Sequence, residues 1–69
     1  MKVFERENQK GWYGASEKGM NFLVCAYCET LGETETLAEA VKIAEKHVAV
    51  TSDLRIHEYA SGETWYLER

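Results

Sequence analysis

Residues 34–48, TETLAEAVKIAEKHV, contain the one clear helix signal of this chain. Thr36-Leu37-Ala38-Glu39 fits a capping box, in which the Thr36 hydroxyl accepts from the Glu39 amide and the Glu39 carboxylate reaches back. Leu37, Val41, Ala44 and Val48 follow at helical spacing and form one apolar stripe, widened by Ala40 and Ile43. Glu39, Lys42, Glu45 and Lys46 lie away from that stripe. The pattern predicts a helix over 36–48, about 18 Å long. Such a helix covers one face of a sheet and no more.

Hairpin patterns flank the helix on both sides. Trp12 to Ser16 and Asn21 to Glu29 read as a hairpin around Lys18-Gly19, where glycine supplies the positive φ of a tight turn. That turn would pair Ala15 with Phe22 and Tyr13 with Val24 on one face, and Trp12 with Cys25 and Gly14 with Leu23 on the other. The run from Asn21 to Cys28 is apolar at both parities, as expected of a central strand. After the helix, Leu54 to Tyr59 and Thr64 to Glu68 read as a second hairpin turning at Ser61-Gly62. A two-residue turn pairs Ile56 with Leu67 and Glu58 with Trp65, with Arg55–Glu68, His57–Tyr66 and Tyr59–Thr64 on the opposite face. Lys2 to Glu7 alternates weakly, leaving room for an extra N-terminal strand before a polar turn at 8–11. The expected fold is α+β: a single domain over 1–69, β-β-α-β-β in order, with one helix packed on one face of an antiparallel sheet.

At 69 residues the chain is near the lower limit for unaided folding, since a domain of this size buries only about 60% of its unfolded surface. Its content, 45% apolar and 12% aromatic, is too high for intrinsic disorder. The net charge is −4, from 12 acidic and 8 basic residues. The basic stripe that nucleic-acid binders need for phosphate neutralisation is missing, so direct nucleic-acid binding is not expected. Between Cys28 and Glu39 stand Glu29, Glu33, Glu35 and Glu39 without a lysine or arginine. That run reads as a solvated loop entering a helix N-terminus, or as an acidic surface that meets a basic groove. No apolar run approaches the ~18 residues of a membrane span, and no signal-peptide pattern is seen. The expected compartment is the cytoplasm, with reduced cysteines.

Cys25-Ala26-Tyr27-Cys28 is the one motif-like spacing. A redox or metal CxxC converges both sulfurs on a turn or helix start. An extended strand points positions three apart to opposite faces. A small buried hydrophobe is the simpler reading of these cysteines, with disulfide, redox or metal use as alternatives. His47, at the helix end, suits the dipole. His57 reads as a surface contact beside Tyr66 and Arg55, since no nucleophile or orienting carboxylate can be placed with it for general-base work. There is no phosphate-cradling loop, no GxSxG and no carboxylate pair. No enzyme activity, cofactor or metal is expected.

One face of the sheet remains uncovered by the helix, and the pairing above sends Trp12, Leu23, Cys25, Tyr27, Tyr59 and Tyr66 to it, with Arg55 and His57. Trp, Tyr and Arg are the residue types most enriched in interface hot spots. Three readings stay open for this face: a foreign protein partner, a homodimer, or a long loop or the N-terminal strand folding across it.

From about Lys10 to Tyr59 the chain resembles the small phage-encoded inhibitors of host RNA polymerase, of the type carried by bacteriophage T7. The shared residues are Trp12, Ala15-Ser16-Glu17, Phe22-Leu23-Val24, Tyr27, Glu29-Thr30-Leu31, Leu37-Ala38-Glu39-Ala40, Ala44-Glu45 and Arg55. The resemblance implies a non-enzymatic protein that occupies a groove of the polymerase and blocks productive promoter complexes. That family makes key contacts through two arginines on the strand after the helix; Arg55 stands at the first position, and His57 replaces the second. The chain also looks like several phage anti-CRISPR proteins, which block an effector complex with a similar strand-helix-strand plan. HicB-type antitoxins share the run from an apolar strand through Cys to Thr-Leu-x-Glu-Ala, without their Pro-containing turn here. The first two resemblances imply inhibition of a bacterial host complex. The alternatives are a self-assembling accessory protein or a HicB-like antitoxin acting as a homodimer.

Overall fold

The computed structural model describes residues 2–5, 8–27 and 29–68. Among the described residues, five strands and one helix occur in the order β1 (Lys2–Glu5), β2 (Phe22–Ala26), β3 (Glu29–Thr34), α1 (Leu37–His47), β4 (Leu54–Glu58) and β5 (Thr64–Glu68). The strands form one sheet in the order β1-β5-β4-β2-β3, with every neighbouring pair antiparallel. The α+β class, the single helix on one sheet face and the extra N-terminal strand are as the sequence predicts. Arg6 and Glu7, the end of that expected strand, lie outside the described residues.

Helix α1 starts where the capping box places it. The Glu39 amide donates to the Thr36 hydroxyl at 3.2 Å, and the Thr36 amide donates to the Glu39 carboxylate at 3.2 Å. Ala40 and Ala44 are fully buried, and small side chains at these points let the helix lie close to the sheet. Under it sit Val24, Ala26, Leu54, Ile56 and Leu67, with Phe22, Leu31, Val41, Ile43, Val48 and Trp65 packed around them. Leu37, assigned to the apolar stripe, is instead exposed at the first turn. Gly32 shows how close the contact is. A Cβ there would lie 2.9 Å from Ile43 Cδ1, so a larger residue would require the Ile43 side chain to shift.

The first hairpin differs from the sequence reading. Trp12 to Ser16 is not a strand, and the partner of β2 is β3, which follows the turn at Tyr27. Both flanks of β2 are occupied, by β3 and by β4, so residues 12–16 have no edge to join. Gly11 and Gly14 take φ of 84° and 71°, and the segment proceeds through successive turns instead. The acidic stretch read as a loop is therefore strand β3, at the sheet edge. Charged side chains on an edge strand oppose pairing with other chains. Its register shifts between Val24 and Cys25, a bulge that leaves Leu31 unpaired.

The second hairpin is present but two residues out of the expected register. Leu54 faces Leu67, Arg55 faces Tyr66, Ile56 faces Trp65 and His57 faces Thr64. The cause is a wider loop: the Glu58 amide donates to the Glu63 carbonyl at 2.8 Å, and the Gly62 amide donates to the Glu58 carbonyl at 2.9 Å. A shift of two keeps every side chain on its expected face.

Candidate functional site

The sheet face opposite α1 carries Leu23 and Cys25 from β2, Arg55 and His57 from β4, and Thr64 and Tyr66 from β5. It does not stand open. Residues 8–20 run across it as a strap. At one end the Gln9 amide donates to the Gly62 carbonyl at 2.8 Å, and Asn8 Nδ2 donates to the Ser61 carbonyl at 2.7 Å. Midway, the Tyr13 ring lies over His57 with centroids 4.5 Å apart. At the far end the Ser16 hydroxyl accepts from the Met20 amide at 3.0 Å, turning the chain into β2.

This overturns part of the expected surface. Leu23, Cys25 and His57 are buried at 5%, 4% and 1% exposure, because the strap supplies the cover that the helix cannot. Tyr59 and Tyr66 are half-buried. Tyr59 makes an edge contact with His57 and donates to a Glu33 carboxylate oxygen at 2.7 Å. Only Trp12 and Tyr27 of the expected aromatics stay open to solvent, at 70% and 62% exposure.

Arg55 organises the site. One terminal nitrogen donates to the Tyr13 hydroxyl at 2.8 Å; the other donates to the Tyr27 carbonyl at 3.0 Å and pairs with Asp53 at 2.7 Å. The guanidinium carbon also lies 5.9 Å from the Tyr13 centroid and 5.6 Å from that of Tyr66, within cation–π range. Its Nε is buried without a hydrogen-bond partner among the described residues. One guanidinium thus joins the β2–β3 turn that displays Tyr27 to the strap residue that follows Trp12.

Tyr27 has φ of 57°, a left-handed conformation that costs an aromatic residue about 1–2 kcal/mol. The reversal of the chain between β2 and β3 places it there. The Arg55 bond to its carbonyl and a hydrogen bond between its hydroxyl and that of Ser52 hold it there.

His57 Nδ1 lies 2.7 Å from the Thr64 hydroxyl, and that hydroxyl donates to the Gly62 carbonyl at 3.3 Å. The ring therefore donates from Nδ1, and Nε2 is a buried lone pair without a partner among the described residues. Burial holds the imidazole below its ordinary value, against the pull of Glu58. Thr64 and His57 are both sealed from solvent. Burial pushes the Cys25 thiol up, only partly offset by Arg55, which keeps it in the unreactive protonated form. Cys28, the other half of the CxxC, lies outside the described residues.

Of the acidic positions, Glu29 and Glu35 are exposed and Glu33 is half-buried. Hydrogen bonds from Tyr59 and then Ser16 hold the Glu33 carboxyl below its ordinary range. Sequence reasoning missed Gln9 and Tyr13. Gln9, 5% exposed, accepts from the Tyr13 hydroxyl at 3.2 Å and donates to that of Tyr66 at 3.3 Å. The glycines bracketing Trp12-Tyr13 were the available signal, since they mark a loop able to turn one ring inward and the other outward.

No protein-family model, curated protein or solved structure matches this chain. Among the described residues no helix is long and apolar enough to cross a membrane.

Proposed function

We propose that this chain is a non-enzymatic protein-binding module acting in the bacterial cytoplasm. Its contact surface is centred on Trp12, Tyr27 and the half-buried Arg55. The observation that carries this reading is the pair of solvent-facing aromatics, 70% and 62% exposed, with Arg55 bonded to the Tyr27 carbonyl and to the hydroxyl of Tyr13, the neighbour of Trp12. Large rings held open at a fixed place are what an interface anchor requires. The acidic edge strand, with Glu29 and Glu33, and the adjoining Glu35 favour a partner with a basic groove. Like charge along that edge also opposes self-assembly through it, so a foreign partner is favoured over a homodimer.

The narrower reading, an inhibitor that occludes a functional surface of a host complex, draws on the resemblance to phage inhibitors of RNA polymerase and anti-CRISPR proteins. Affinity capture from bacterial lysate tests both levels. The chain should retain RNA polymerase or a CRISPR effector, and a Trp12→Ala/Tyr27→Ala variant should lose at least tenfold of it. Retention of neither complex defeats the inhibitor reading. Equal retention by the variant defeats the assigned surface. A stable dimer in sedimentation that hides Trp12 would favour self-assembly instead.

A further inference from the structure

The strap is fastened to the sheet at a titratable point. Of residues 8–20, only Gln9 is buried, with Tyr13, Ser16 and Met20 half-buried and the rest exposed. So little buried apolar surface places such a segment at the low end of local stability. Its central contact is the Tyr13 ring tilted against that of His57, with centroids 4.5 Å apart. The imidazole beneath is 1% exposed and its Nε2 has no acceptor among the described residues to receive a second proton.

We propose that residues 8–20 are an acid-released cover: protonation of His57 displaces Tyr13 and lifts the strap, baring Leu23, Arg55 and Tyr66 to solvent. The cover is independent of any partner, and the proposed function can fail without affecting it.

The charges around His57 decide the direction. On its own strand, Arg55 projects from the same face one pleat away and Glu58 lies next in sequence. Tyr59 approaches edge-on at 5.7 Å, with the Glu33 carboxylate of β3 bound to its hydroxyl. From β2 come Leu23, directly opposite, and the Cys25 thiol. From β5 come the Thr64 hydroxyl and Tyr66. The strap contributes Tyr13 above the ring, while its ionic side chains Lys10, Glu17 and Lys18 are exposed. Glu58 is the nearby anion that favours the imidazolium, and burial outweighs it. A second buried cation beside Arg55 has no free carboxylate to pair with among the described residues, because Asp53 is engaged by Arg55, Glu33 by Tyr59 and Glu58 by Ser61. Opening the strap returns the ring to water, where the cation is solvated.

The sign follows from linkage. The closed form binds the proton less well than the open form, so closure is fully favoured above about pH 6.5 and weakens as pH falls. Between that value and the lower value of the closed state, the opening constant rises about tenfold for each pH unit. Glu33 lies in a separate, more acidic window, because its carboxyl is held below the ordinary carboxylate range.

Amide hydrogen exchange followed by NMR from pH 7.5 to pH 5, normalised to intrinsic rates, tests the proposal on the intact chain. Gln9 reports the junction with Gly62 and Trp12 the turn closed on the Gln9 carbonyl. Their protection should fall progressively as pH drops through 6.5, by up to about tenfold per pH unit, while the amides of Val24 and Ile56 keep theirs. The His57 ring, observed in the same samples, should titrate below 6.5. His57→Phe, which keeps an aromatic under Tyr13 without a titrating nitrogen, should hold strap protection constant with pH. Constant protection in the unmodified chain, a ring titrating at or above 6.5, or an undiminished pH response in His57→Phe would each overturn the proposal. If that variant does not fold, the titration of the unmodified chain decides alone.

Discussion

The two faces of this sheet are closed by different means. Under the helix, Val24, Leu54 and Ile56 meet Ala40 and Ala44 in a wholly apolar layer, held by volume and by area removed from water. Under the strap, His57, Thr64, Gln9, Tyr13, Arg55 and Tyr66 meet through directional contacts, most of them hydrogen bonds between 2.7 and 3.3 Å. An apolar layer is indifferent to pH and tolerates changes that keep its volume. A polar layer depends on every partner being in place and in the right protonation state. One small domain thus combines a face that sets global stability with a face able to open locally.

Substitutions on each side separate these roles. Ile56→Ala empties space under the helix and should cost about 2–5 kcal/mol, enough to unfold much of so small a domain; urea denaturation followed by circular dichroism measures it. Tyr13→Ala, on the strap side, removes a ring and two hydrogen bonds and should cost about 1–2 kcal/mol. Its signature is a loss of exchange protection confined to residues 8–20; a uniform loss would show that the two faces form one cooperative unit. Thr36→Ala deletes the cap and should lower global stability by about 1 kcal/mol. It should leave the strap's protection relative to the sheet unchanged, which the same exchange experiment reads.

What was legible in the sequence follows the same division. The helix, its capping box and the faces of the C-terminal hairpin emerge from periodicity and cap chemistry, because the apolar layer imposes a period on every strand it touches. Strand β3 was hidden: its glutamates and Gly32 resemble a loop, although the glutamates sit on an edge and the glycine makes room for Ile43. The turn at Tyr27 carries no glycine or asparagine, whereas Lys18-Gly19 offers explicit turn chemistry and so attracts the predicted hairpin. The strap has no period at all. Arg55, Tyr27 and Tyr66 were singled out by residue type, but Gln9 and Tyr13 join them only through contacts spanning 57 and 42 positions of chain. No local pattern encodes such contacts.

Gly62 sits where the strap crosses the C-terminal turn, with φ of 81° and the space for a Cβ taken up by Lys10 and Asn8. One hydrogen atom in place of a methyl group is therefore what lets the beginning of the chain meet its end. Those two distant stretches must vary in concert: any bulkier residue at this crossing would demand a different path for the amino-terminal segment.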